Sequence, residues 1–377
     1  MSIPAPAIAS FQPPRRTLMG PGPSDVPRRI LDAMVRPTIG HLDPAFTDMM
    51  EQTKTLLRYA FQTENKLTFP VSGPGSVGME TCFVNLVEPG DKVIVCVNGV
   101  FGGRMVENVK RCGGVAVLVE DPWGRAVDAD KVAAAFAAHP DAKILAFVHA
   151  ETSTGAQSDA AALAAIAKRH GALVLLDCVT SLGGTPVLLD QWGIDAAYSG
   201  SQKCLSCTPG LSPVSFSEAA IRRVRARKTP VQSWFMDLNL VLGYWSGEGK
   251  RTYHHTAPIN PLYGLHEALV MLAEEGLEAA WARHRAMHEA LKAGLEELGL
   301  SFVVPEGERL PQLNSVTFPA GIDDAAARGH LLNDFNLEIG AGLGVLAGKI
   351  WRIGLMGASA RRENVDICLR ALRAVLG

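Results

Sequence analysis

Residues 173–203 read LVLLDCVTSLGGTPVLLDQWGIDAAYSGSQK. Two apolar runs, LVLLDCV and IDAAYSG, end in polar loops, the first carrying Asp177 and the second leading to Lys203. Neither run alternates apolar with polar residues, which is the pattern of strands covered on both faces. Upstream, from about residue 68, similar runs (LTFPVSG, KVIVCVNG, VAVLVE, ILAFVHA) alternate with helix-like segments (SVGMETCFVNLV, GGRMVENVKRC, DADKVAAAFAAH, DAAALAAIAKRH). Such βα repetition predicts an α/β fold with a mostly parallel sheet in a three-layer domain, whose ligand binds at the carboxyl ends of the strands.

Downstream, the stretch PLYGLHEALVMLAEEGLEAAWARHRAMHEALKAGLEELGL, residues 261–300, has helical periodicity and carries a domain boundary near residue 276. Beyond it, strand-like and helix-like segments alternate on a smaller scale. The expected organisation is an N-terminal arm over 1–20, rich in Pro and Ala, a large domain over 21–276 and a compact α+β domain over 277–377. An extended arm needs a surface to lie on, and a second subunit provides one. The 377-residue chain is 47% hydrophobic, with a formal net charge of −2 and no basic block. That excludes the electrostatic footprint of a nucleic-acid or membrane-surface binder, and a small molecule is the expected partner. The seven scattered cysteines suit a reducing compartment better than a disulfide framework. With no signal-peptide pattern at the start, the expected location is the cytoplasm.

Several positions carry candidate chemistry. Asp177, at a strand end, calls for a cation such as a protonated heterocycle, or else closes an Asx turn. Lys203, among Ser, Gly and Gln, is a Schiff-base nucleophile or an ordinary exposed lysine. In VSGPGSVGMETCF, Gly73 and Gly75 permit close backbone approach and Ser76 is a candidate helix cap. Free amides there suit an anion, although an ordinary capped turn reads the same way. Phe101 follows a strand and either lies flat against a planar ring or fills the core. Arg352 interrupts the apolar string IWRIGLMG and must meet an anion, either an internal carboxylate or a substrate carboxylate. His254 and His255 in TYHHTAP are expected to point to opposite sides of an extended segment, which argues against a shared metal. Cys204 and Cys207 form a C-x-x-C pair without the second pair of a zinc site or the helical setting of a redox motif. An acid, a lysine, an anion-binding turn and an aromatic together describe a site for pyridoxal 5′-phosphate, and no metal is implied.

The strings GPGPS (20–24), SGPGSVGME, NGVFGGR, ETSTG, LLDCVTSLGGTP, YSGSQKCL, YHHTAPI and WRIGLMG occur in that order across nearly the whole chain. In them the sequence resembles the alanine–glyoxylate/serine–pyruvate aminotransferases, class V of the fold-type I pyridoxal-phosphate enzymes. The resemblance implies a homodimer with the arm on its partner, a mainly parallel seven-stranded sheet, a smaller C-terminal domain and active sites at the subunit interface. It makes Lys203 the Schiff-base lysine and proton carrier, and Asp177 the partner of the pyridine nitrogen. Gly75, Ser76 and Gln202 would hold the phosphate, with Tyr253 and Thr256 reaching it from the partner subunit. Val179 and Phe101 would flank the ring, Thr152 would offer a hydroxyl, Arg352 would take the substrate carboxylate and Gly40 would shape the pocket. Many relatives have Trp at the position of Phe101, and some have His at that of Ser76.

The implied reaction is ping-pong transfer of an amino group from alanine or serine to a 2-oxo acid, glyoxylate foremost. A ureidoglycine–glyoxylate aminotransferase would keep the same cofactor residues. A cysteine desulfurase fits less well, because that relative usually stacks a histidine on the ring and needs a mobile cysteine on a separate loop. A nicotinamide-dependent dehydrogenase would show a strand followed by GxGxxG, which is absent. A non-enzymatic binder would make Lys203 dispensable.

Overall fold

The computed structural model describes residues 3–245 and 251–377. Seven strands form the central sheet: β1 (Leu67–Ser72), β2 (Lys92–Val97), β3 (Val115–Glu120), β4 (Ile144–Val148), β5 (Leu173–Asp177), β6 (Ala196–Tyr198) and β7 (Leu211–Phe216). Their order is β1-β7-β6-β5-β4-β2-β3. Strand β7 runs antiparallel to both neighbours and the remaining pairs are parallel. Helices α1 (Gly75–Leu86), α2 (Val100–Arg111) and α3 (Ala160–Arg169) belong to the βα repeats. The loops beyond β1, β2, β4, β5 and β6 therefore lie along one rim of the sheet, as parallel strands require.

Two strands depart from the sequence reading. Strand β7 has the sequence LSPVSF, with two serines and a proline, so it lacks the apolar signature of its neighbours. Its serines are satisfied internally: the Ser212 hydroxyl donates to the Ser199 carbonyl at 2.6 Å, and Ser215 and Thr68 share a hydrogen bond of 2.9 Å. Pro213 lies opposite Pro70 in the register, so the two missing donors fall at one point of the ladder. Strand β3 is an edge strand, not one covered on both faces, and Val115 and Leu118 are 48% and 47% exposed.

The long helical stretch is broken at Gly276, whose φ of 84° lies in the region that favours glycine, into α4 (Ile259–Glu275) and α5 (Leu277–Glu297). Leu277 and Ala280 pack in the core around the large sheet. One end of the same helix therefore belongs to a different core from the other, because Leu291 and Leu295 pack with Trp351 and Ile353. That second core covers an antiparallel sheet of β8 (Ser301–Phe302), β9 (Leu313–Thr317), β10 (Gly340–Ala341) and β11 (Ile350–Gly354), ordered β8-β9-β11-β10. The N-terminal segment is shorter as an arm than expected. Residues 3–15 are exposed, and residues 1 and 2 lie outside the described residues. Thr17–Leu18, however, pairs in parallel with Leu337–Glu338, and Met19 is buried in the second core with its carbonyl accepting from the Gly354 N–H at 2.7 Å. No described helix is long and apolar enough to cross a membrane.

Candidate active site

Asp177 ends β5 and is 2% exposed. Its Oδ1 accepts the Val179 N–H at 2.8 Å, which is an Asx-type closure, and its Oδ2 accepts the Tyr198 hydroxyl at 2.7 Å. Burial pushes its carboxyl up to about 7. The two donors and the charge of Lys203 oppose that rise, and Glu151 adds to it. Lys203 comes after β6, through Ser199–Gln202, and its Nζ donates to the Pro21 carbonyl. Burial lowers its ammonium to about 8; Arg352 adds to the lowering, while Cys204 and Asp177 work against it. The rim thus holds a carboxyl and an amine that both favour the neutral form more than they would in water.

The segment GPGPS encloses the lysine. The Ser24 hydroxyl donates to the Lys203 carbonyl at 2.8 Å and the Ser24 N–H to the Gln202 carbonyl at 2.9 Å. Gly22 has a φ of 110°, and a methyl group there would collide with Lys203 Nζ. Cys204 and Cys207 are buried, with burial pushing their thiols up to about 12 and 11, so neither is a ready thiolate.

At the start of α1, Pro74 occupies the cap position and no side chain caps the helix. Ser76, expected as the cap, lies inside the first turn. Gly75 packs closely: a Cβ there would lie 3.3 Å from Val179 Cγ2 and 3.5 Å from the Ser199 carbonyl. Gln202 Oε1 is buried with no hydrogen-bond partner among the described residues. An uncapped helix N-terminus beside an unpartnered amide is a setting for an anion with several oxygens.

Phe101 is half-buried in the first turn of α2, with the Arg104 guanidinium 4.8 Å from its ring centroid. Its N–H and that of Gly102 donate to Glu151 Oε2, and the Ser153 N–H and hydroxyl donate to Oε1. Glu151 is fully buried, and its pKa is raised by that burial. Sequence reasoning did not single out Glu151 or Tyr198. ETSTG was read for its threonine, and Thr152 does enter the site: its hydroxyl bonds that of Thr180 and its carbonyl accepts from Arg352 Nη1 at 3.0 Å. Arg352 Nε donates to the Ala341 carbonyl at 2.7 Å. Arg352 is 6% exposed, and burial lowers its pKa to about 10, opposed by the charge of Glu151. Both hydrogen bonds of this guanidinium go to carbonyls, so the internal carboxylate allowed by the sequence is not its partner.

Tyr253 and Thr256 are exposed, Tyr253 at 66%, and Gly40 lies in an exposed loop. Within one chain they do not join the group around Lys203. His254 and His255 do not diverge as expected: their Nδ1 atoms are 2.8 Å apart, because residues 251–257 follow no strand geometry. One ring must donate to the other, and burial, His254 and His41 lower His255 to about 4. His255 Nε2 is 2.9 Å from the Ser72 hydroxyl, which anchors this segment beside the α1 turn.

The Aminotransferase class-V family matches residues 18–367. The crystal structure of alanine–glyoxylate aminotransferase from Nostoc sp. superposes with a TM-score of 0.96 at 47% identity, covering 98% of this chain and 97% of that one. The structure of ureidoglycine–glyoxylate aminotransferase from Bacillus subtilis gives a TM-score of 0.95 at 38% identity, covering 98% and 94%. The alanine–glyoxylate aminotransferase of Drosophila melanogaster is 39% identical over 381 residues, 100% of this chain and 96% of its own length.

Proposed function

The chain belongs to the class V aminotransferases, fold-type I enzymes that use pyridoxal 5′-phosphate, and from that premise we propose that it moves the amino group of alanine or serine to glyoxylate. The residues present fit the cofactor: a buried acid for the ring nitrogen, a desolvated amine for the aldehyde, and an uncapped helix with an unpartnered amide for the phosphate. When bound, pyridoxal phosphate supplies an electron sink for the carbanion at the substrate α-carbon.

Each role belongs to a residue already described. Asp177 would accept a hydrogen bond from the protonated ring nitrogen and so keep the ring cationic. Lys203 would hold the cofactor through its amine and, as a free amine, would carry the proton from the substrate α-carbon. Its lowered pKa supports this use, since a free amine is needed as base near neutral pH. The amides of Gly75 and Ser76, with Gln202, bind the phosphate. Val179 and Phe101 cover the two ring faces, and Thr152 orients the cofactor or substrate. Arg352 binds the substrate carboxylate in bidentate fashion, and Gly40 limits the pocket.

The observation that carries the reading is Arg352, a buried guanidinium bonded among the described residues only to carbonyls and close enough to Lys203 to depress its pKa. We further propose a homodimer in which exposed Tyr253 and Thr256 reach the partner's phosphate site, as well as a large domain over 21–276 and a small one over 277–377. Seven buried free thiols support a reducing cytoplasmic setting.

The test is a donor panel of alanine, serine and ureidoglycine with glyoxylate as acceptor, following glycine production by the cofactor-loaded protein. Alanine or serine should turn over, with ureidoglycine at least tenfold slower in kcat/KM. Turnover with ureidoglycine alone would replace this reading by that of the Bacillus subtilis relative.

A further inference from the structure

Asp177 and Tyr198 are register partners at the ends of the adjacent parallel strands β5 and β6, so their side chains emerge on the same face. Both are buried, and among the described residues the only hydrogen bond of the Tyr198 hydroxyl is the one it donates to Asp177 Oδ2 at 2.7 Å. The carboxylate receives one other hydrogen bond, from the Val179 N–H at 2.8 Å. Its nearby thiols, Cys82 and Cys178, are themselves buried and held protonated, so they do not act as charged partners. We propose that Tyr198 is a positioning residue that keeps Asp177 ionised and aims its carboxylate at the cofactor's ring nitrogen. The proposal rests on Asp177 being the partner of that nitrogen.

The chemistry follows from counting donors. A buried carboxylate is held ionised by the hydrogen bonds it accepts, and this one accepts two. The Val179 amide also fixes the turn after β5 and survives any side-chain change. The Tyr198 hydroxyl is the removable donor. Burial and the charge of Asp177 push the phenol well above its ordinary range, so it remains a donor throughout the pH range in which an enzyme works. Its rigid ring fixes Oδ2 in place, whereas a water in that position would follow the carboxylate as it turned.

Binding of 4′-deoxypyridoxine 5′-phosphate to the full-length protein freed of cofactor isolates this contact. The analogue has no aldehyde, so Lys203 cannot bond it and only the ring and phosphate contacts are read. Affinity should fall as pH drops and Asp177 takes up a proton. Tyr198→Phe should weaken binding about tenfold at neutral pH and move that fall to higher pH. Asp177→Asn should abolish it, and the double variant should bind as Asp177→Asn does. A Tyr198→Phe profile superimposable on the wild type, with Asp177→Asn behaving as stated, overturns the role of Tyr198 alone. An Asp177→Asn profile identical to the wild type overturns the assignment of Asp177 itself. Should Tyr198→Phe lack native circular dichroism, 3,5-difluorotyrosine at position 198, a stronger donor, should move the fall to lower pH; no movement overturns the proposal.

Discussion

Lys203 and Asp177 leave their ordinary titration ranges in opposite directions for one reason, which is that burial disfavours whichever form carries charge. For Lys203, lowered from 10.5 to about 8, the free amine becomes abundant more than two pH units earlier than in a solvated lysine. Covalent uptake of pyridoxal phosphate, trapped with borohydride and read by mass, should therefore rise through pH 8 and level off above it; a rise centred near 10.5 would contradict the desolvated site. Asp177 has the reverse sign. Its folded pKa, about 7, exceeds the ordinary 3.8, so the folded state binds the extra proton and the stability this contributes is lost as pH rises between those values. Melting temperatures of the cofactor-free protein across that window should fall less steeply in Asp177→Asn. Gly22→Ala would strain a backbone at φ 110° and drive a methyl into Lys203 Nζ. Cofactor uptake should drop at least tenfold, and stability by about 1–2 kcal/mol. Asp177 and Arg352 were legible in the sequence because they interrupt apolar runs, and Lys203 because it follows one among small polar residues. Tyr198 and Glu151 were not, since a tyrosine in a strand or an acid after one acquires meaning only from register and from what packs across it.

At the scale of elements, α1 shows how a helix can be left incomplete for use. Most helix N-termini gain from a capping side chain, yet α1 has Pro74 at its cap position and no side chain capping it. Ser76→Asp would place a carboxylate in its first turn and should stabilise the cofactor-free protein by about 0.3–1 kcal/mol through the helix dipole. The same change should weaken pyridoxal-phosphate binding at least tenfold by repelling the phosphate. Opposite signs in thermal melting and in cofactor titration would check the anion assignment; improvement in both would refute it. The βα repeats were readable because parallel strands covered on both faces have no polar face. Strand β7 was hidden because its polar residues are satisfied by Ser199 and Thr68, a pairing that exists only once distant strands meet. The exposure of β3 was equally invisible, since an edge position follows from strand order and not from composition.

At the scale of the whole molecule, two cores share helix α5 and the N-terminal segment runs from one to the other. Deleting residues 1–15, all exposed where described, should leave the melting temperature of the chain within about 2 °C while lowering its dimer fraction in light scattering, as the proposed arm requires. Deleting residues 1–20 also removes the Thr17–Leu18 pairing and Met19 from the second core, and should cost about 2–5 kcal/mol. The two-core layout could be anticipated from the change of scale after residue 276, but the membership of Met19 could not, because 272 positions separate it from its core mate Leu291. That membership has a consequence for biosynthesis. Met19 leaves the ribosome more than 300 residues before its core mates Leu337, Trp351 and Leu372. The larger core can close while the later residues are still being made, but the smaller one must wait until Leu372 has emerged, with Met19 held in reserve until then.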